Sequence, residues 1–292
     1  MSSIELKTKE LMKGSIDIHM HTGPDIFTRS VNDIEAAQQA KEMGLRAILI
    51  KNHLFPTPER AFVASEIVDF NVFGSISLNY TVGGLNTHAV ETSIKLGAKE
   101  VWMPTFHSAR FISDAMTVPA MAKELPKGIK GISILDSNGK LLPEVFEILD
   151  IIAKNDVILG TGHISKSEGM KLLDAVGSTR IKKVFLTHPM IEFLDYTVDE
   201  MKTAVDKGAL LEHLWVICTP QAKNPTPPSK IADVIKEIGA EFCILASDGG
   251  QKINPPPVKM LEQFVVEMLR NGISEDDISV MISENPAKML GL

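Results

Sequence analysis

Ser15-Ile16-Asp17-Ile18-His19-Met20-His21 is an apolar run that ends on two histidines one residue apart. Side chains two positions apart on a strand point to the same side. His19 and His21 are therefore expected to present two imidazoles next to each other. Later runs close in a similar way: Val157-Ile158-Leu159-Gly160-Thr161-Gly162-His163, then Val184-Phe185-Leu186-Thr187-His188, then Cys243-Ile244-Leu245-Ala246-Ser247-Asp248. A fold that gathers its strand ends at one mouth would bring these side chains together.

Working outward from these runs, short apolar segments alternate with longer helical patterns. Strands are expected near residues 15–20, 46–51, 71–78, 100–105, 157–161, 183–187, 209–217 and 242–247. Eight apolar strands separated by helices imply βα units and a parallel sheet covered on both faces. The chain has 292 residues. That length suits two small domains or one α/β barrel of roughly 250 residues or more. No repeat, low-complexity tract or linker divides it, so residues 1–292 are read as a single domain.

Helix signals occupy the gaps. Asp33 to Met43 carries an apolar face and stops at Gly44. Thr57-Pro58-Glu59 places a capping residue before a first-turn proline. Ser165 with Glu168, and Thr197 with Glu200, fit capping boxes, the second helix ending at Gly208. Pro143 to Lys154 and Ser229 to Gly239 have helical apolar spacing, and Asn285-Pro286 opens a short final helix. Residues 218–228 and 249–257 are proline-rich loops that follow strands. Residues 108–135 are expected to hold a helix and an extended insertion.

Composition narrows the function classes. The net charge is −7 and no basic stripe occurs, which argues against a nucleic-acid partner. The N-terminus lacks the apolar core of a signal peptide, and no apolar stretch approaches the ~20 residues of a membrane helix. Cys218 and Cys243 both fall in expected strands and read as buried free thiols of a reducing compartment. A cytoplasmic protein without membrane contact is expected, and a homo-oligomer is compatible with it. Neither a Gly-x-Gly-x-x-Gly nor a Walker A pattern is present, so nucleotide-cofactor enzymes rank low.

The chemistry sits at the strand ends. Histidine suits zinc, manganese, iron or nickel, and two on one strand face can chelate one ion. The plain alternative for each lone residue is a satisfied core or surface histidine at His163 or His188, and a turn-capping aspartate at Asp248. The order HxH, His, His, Asp over βα alternation resembles the amidohydrolase superfamily of metal-dependent hydrolases. The tail Asn285-Pro286-Ala287-Lys288-Met289-Leu290-Gly291 is similar to the closing NPA-x-x-LG motif of many members. The resemblance implies an α/β fold, a (β/α)8 TIM-like barrel with its site at the C-terminal ends of the strands. It implies metal ligation by His19 and His21 on the first strand, His163 on the fifth, His188 on the sixth and the acid Asp248 on the eighth. One element departs from the family pattern. Many members bridge two metals with a carboxylated lysine or a glutamate from the fourth strand, but here that strand, Val101-Trp102-Met103-Pro104-Thr105-Phe106-His107, offers no lysine at its end. His107 is the one strong ligand nearby, and Lys51, sharing a face with His53, ends the second strand instead.

These assignments predict one or two divalent ions, zinc first and manganese, iron or nickel as alternatives. Asp248 would take a proton from the attacking water and pass it to the leaving group. Lys51, His53 or His107 would steady an oxyanion or a substrate anion, and Lys51 is alternatively a carboxylated lysine. Asn79, Glu212, His213 and Gln251 are further mouth candidates, with only one of the neighbours Glu212 and His213 able to face inward. Asp25 and Arg29 follow the HxH in a loop within reach of a substrate. The expected activity is cleavage of an amide, cyclic amide, ester or lactone of a small molecule. Phosphoester cleavage by a related histidine-rich barrel, or a non-catalytic metal- or ligand-binding barrel, are the alternatives.

Overall fold

The computed structural model describes residues 3–115, 125 and 128–292. Eight strands form one sheet in chain order: β1 Ile16–His21, β2 Ala47–Lys51, β3 Asn71–Ser77, β4 Ala98–Trp102, β5 Ile158–Gly160, β6 Val184–Thr187, β7 Leu210–Leu214 and β8 Cys243–Ala246. The strands are parallel and β8 returns to β1, where Asp248 N–H donates to the His19 carbonyl at 2.8 Å and His21 N–H to that of Gly249 at 2.8 Å. This is the (β/α)8 barrel that the family resemblance implies, built from the βα units and parallel sheet expected from the strand pattern. The apolar runs explain it: Ile48, Leu49 and Ile50 on β2 are all fully buried, as strands covered on both faces require.

The chain divides into two compact units. The first comprises Met1–Asn52, Thr57–Gly74 and Leu211–Leu292, and so holds β1, β2, β8, nearly all of β7 and the start of β3. Its helices are α1 Ser3–Met12, α2 Asp33–Met43, α3 Pro58–Val68, and then, after the central part of the chain, Pro228–Ile238, Pro257–Arg270, Glu275–Ser279 and Asn285–Leu290. The second comprises His53–Pro56 and Ser75–Leu210, with β4 to β6 and helices α4 Thr87–Lys95, α5 Ala109–Ala115, α6 Pro143–Asn155, α7 Lys166–Val176 and α8 Val198–Asp206.

The helix ends follow their local chemistry. Ser165 with Glu168 and Thr197 with Glu200 both close capping boxes. Asn32 and Glu35 form a third, at the start of α2. Thr57 precedes α3 but does not cap it, because its hydroxyl donates to the Ile50 carbonyl at 2.8 Å instead. Two strands are shorter than their apolar runs. β4 stops at Trp102, before Pro104, which has no N–H to give a ladder. β7 stops at Leu214, and Trp215–Cys218 turns into a 3-10 helix, so Cys218 is half-buried outside any strand. Of the expected insertion over 108–135, residues 116–124, 126 and 127 lie outside the described residues. No helix among the described residues is long and apolar enough to cross a membrane.

Candidate metal centre

The first unit brings three donors together at the seam of β1 and β8. His19 Nε2 lies 3.4 Å from Asp248 Oδ1, and His21 Nε2 lies 3.1 Å from the same oxygen. One ligand atom from each residue falls within 4.8 Å of the others. The local backbone explains the convergence. Between Asp17 and Met20, β1 advances three residues while β2 advances two, a bulge that re-aims side chains beside the site. Asp248 has a φ of 44°, a left-handed conformation that aspartate tolerates. Gly250 has a φ of 119°, and a Cβ there would fall 1.9 Å from the His21 carbonyl oxygen. Only glycine lets the loop after β8 lie against the end of β1.

Lys51, at the end of β2, is 1% exposed and places Nζ 3.1 Å from His19 Nε2. On the other side of the ring, His19 Nδ1 is 3.0 Å from Glu212 Oε1, with both side chains fully buried. Burial pushes the Glu212 carboxyl well above the usual carboxylate range, and the Asp248 and Asp17 charges add to this while Lys51 opposes it. Burial likewise pushes Asp17 up to about 7, although its Oδ1 accepts from Ser247 N–H at 3.1 Å. His21 has a further brace behind it. Arg60 donates to the carbonyls of Thr22 and Pro24 and pairs with Asp33, holding the loop that follows the HxH.

The second unit holds a separate group of histidines. His163 and His188, after β5 and β6, lie with ring centroids 4.8 Å apart and planes tilted by 50°, and Phe193 packs against both. Gly162 precedes His163 with a φ of 62°, where a Cβ would fall 2.4 Å from the Met103 carbonyl. His163 N–H then donates to Pro104 O at 2.9 Å, and Ser108 Oγ to the His163 carbonyl at 2.7 Å. His188 has a φ of 30°, and among the described residues it alone adopts positive φ without being a glycine or an aspartate. Such strain costs about 1–3 kcal/mol and clusters at functional positions. His53 lies beyond the end of β2, so the two-residue alternation from Lys51 does not extend to it. Its Nδ1 is 3.0 Å from Thr105 Oγ1. His107 Nδ1 accepts from Tyr80 N–H at 3.3 Å, and burial lowers the pKa of this imidazole.

The remaining mouth candidates have structural partners. Asn79 Oδ1 accepts from Thr105 and His107 N–H, and its amide donates to Thr105 Oγ1 and the His53 carbonyl. Gln251 Nε2 donates to the Asp248 carbonyl at 2.6 Å. Asp25 and Arg29 form a buried pair at 2.7 Å. Of the two neighbours on β7, Glu212 meets His19, while His213 is 1% exposed on the opposite face. The sequence reading passed over Asp17, although it stands two residues before His19 in the quoted stretch. It also passed over Arg60, for which no local signal exists.

A family profile described as "Family of unknown function (DUF6282)" matches residues 14–212. The chain belongs to this family. The DUF6282 match begins just before β1 and ends at Glu212, so it contains His19, His21 and Lys51 and stops short of Asp248. No curated protein matches the chain. Among solved structures, an amidohydrolase from Pseudomonas aeruginosa aligns with 12% identity and a TM-score of 0.63, over 97% of this chain and 98% of that one. The probable dipeptidase PvdM from the same organism aligns with 12% identity and a TM-score of 0.65, over 99% and 98%. The phosphotriesterase homology protein from Escherichia coli aligns with 14% identity and a TM-score of 0.61, over 95% and 99%. At these identities the likeness is one of fold, and it is the barrel fold that this DUF6282 chain adopts.

Proposed function

We propose that this chain is a metal-dependent hydrolase of small molecules in which His19, His21 and Asp248 hold a divalent cation. The observation that carries the reading is the convergence, within 4.8 Å, of two imidazole nitrogens from β1 and one carboxylate oxygen from the loop that follows β8. The donor set suits zinc first, with manganese, iron or nickel as alternatives. The sequence pattern adds His163, His188 and His107 as further donors for one or two ions, each tested by the metal content of its alanine variant.

When bound, such a cation supplies acidified water at neutral pH and Lewis-acid polarisation of a carbonyl oxygen. The residues divide the remaining work. Asp248 is the most accessible of the three donors, its side chain 13% exposed against 0% and 2% for His19 and His21. It accepts the proton of the attacking water and returns it to the leaving group. Lys51, and by its sequence position His53, steady the developing oxyanion. The substrates proposed are amides, cyclic amides, esters and lactones. Two free thiols support a reducing, cytoplasmic setting.

Metal analysis of protein purified without chelator, followed by a substrate panel that includes phosphoesters, tests the reading. One to two equivalents of metal and chelator-sensitive turnover of a carbonyl substrate are expected. Asp248→Asn should keep the fold and lose about 10²–10⁴-fold in turnover. Protein that takes up no zinc, manganese, iron or nickel refutes the proposal.

A further inference from the structure

We infer that Glu212 is a positioning residue that holds His19 in one tautomer, with the proton on Nδ1 and the lone pair on Nε2. The inference rests on the reading of His19 as a metal ligand and adds a residue to that centre. Two neighbours on opposite edges of the ring give the same answer. At 3.0 Å from Nδ1 stands Glu212 Oε1, which accepts from Nδ1–H as a carboxylate and equally as the bare oxygen of a carboxylic acid whose proton sits on Oε2. At 3.1 Å from Nε2 stands Lys51 Nζ, and an ammonium only donates. The two shorter contacts therefore favour donation through Nδ1 and acceptance through Nε2, against the weaker pull of Asp248 Oδ1, which lies 3.4 Å from Nε2.

Burial makes the choice strict. His19 and Glu212 are both fully buried, so water does not stand in for either partner. A histidine that ligates through one nitrogen commonly donates its other N–H to a carboxylate, and loss of that partner typically lowers metal affinity 10- to 100-fold. Glu212 is placed for this by its strand. Its neighbours Leu211 and His213 point to the other face of β7, and the register with β8, Glu212 opposite Ile244, keeps it level with the strand that leads to Asp248.

The test uses metal-free, histidine-15N-labelled protein, with His19→Asn to assign the His19 signals. Nitrogen shifts in the wild type should show the Nδ1–H tautomer. Glu212→Leu should mix the tautomers and weaken zinc or cobalt binding 10- to 100-fold, read by chelator competition. Glu212→Gln, whose amide oxygen still accepts, should restore the tautomer and most of the affinity. An Nε2–H tautomer in the wild type overturns the inference. So does a Glu212→Leu protein that keeps both the tautomer and the affinity. Should Glu212→Leu not fold, the wild-type tautomer and the glutamine variant still decide. A wild type that binds no metal defeats the proposed function, whereas the tautomer measurement judges Glu212 by itself.

Discussion

His213 should make the protein lose stability in mild acid, and its removal should abolish that loss. The imidazole stands on β7, 1% exposed, and neither ring nitrogen has a hydrogen-bond partner among the described residues. Burial pulls its pKa down to about 4. The unfolded chain returns it to about 6.5, so between those values the unfolded state binds one more proton than the folded state. The contribution is complete above about pH 6.5 and is lost as the pH falls toward 4. A separation of about 2.5 units at roughly 1.36 kcal/mol each makes the loss about 3 kcal/mol. Asp17 works in the opposite sense. Its carboxyl, raised to about 7, lets the folded state bind the extra proton, so its contribution grows as the pH falls. The wild-type profile therefore conceals both slopes, and a variant is needed to separate them. His213→Leu keeps the volume and Asp17 but deletes the titrating ring. Urea unfolding of chelator-treated protein from pH 7 to pH 4 should show the variant gaining about 3 kcal/mol on the wild type across that range. A difference that stays constant across the range would refute the claim that His213 is held neutral.

Other expectations follow from the loops and braces around the centre. Gly250→Ala forces a Cβ against the His21 carbonyl in a backbone conformation few residues adopt, and should cost about 3 kcal/mol or more together with metal affinity; a wild-type melting temperature would count against the seam as drawn. Arg60→Met removes donors from two carbonyls and from Asp33, and should cost about 2 kcal/mol in denaturant unfolding. Asn285 Nδ2 reaches the carbonyls of Glu241 at 3.1 Å and Cys243 at 2.9 Å, so Asn285→Ala should cost about 1–3 kcal/mol, read as a lower midpoint of thermal unfolding.

Much of the barrel was legible in the residues. Continuous apolar runs such as Ala47-Ile48-Leu49-Ile50 mark strands buried on both sides, and capping boxes at Ser165 and Thr197 mark where helices begin. His19 and His21 were legible for the same reason: they lie on one strand, and local periodicity suffices. Run ends were harder to place. Apolar composition continues past Trp102 and Leu214, but proline chemistry and a 3-10 turn stop the ladders there. The contact between β1 and β7 was not legible. Glu212 meets His19 across 193 positions of sequence, and no pattern in either segment announces the other. The Asp17–Met20 bulge was equally hidden, since it depends on how β1 registers against β2.

The β1–β8 seam also has a temporal meaning. His19 and Ser247 touch although 228 positions separate them. At about 5–20 residues per second, a ribosome needs roughly ten to forty-five seconds to make the intervening polypeptide. Throughout that interval the emerging chain carries the paired imidazoles without their carboxylate. On the proposed reading, ion loading waits until translation has passed Asp248, because a nascent chain stalled earlier cannot assemble the three-donor set.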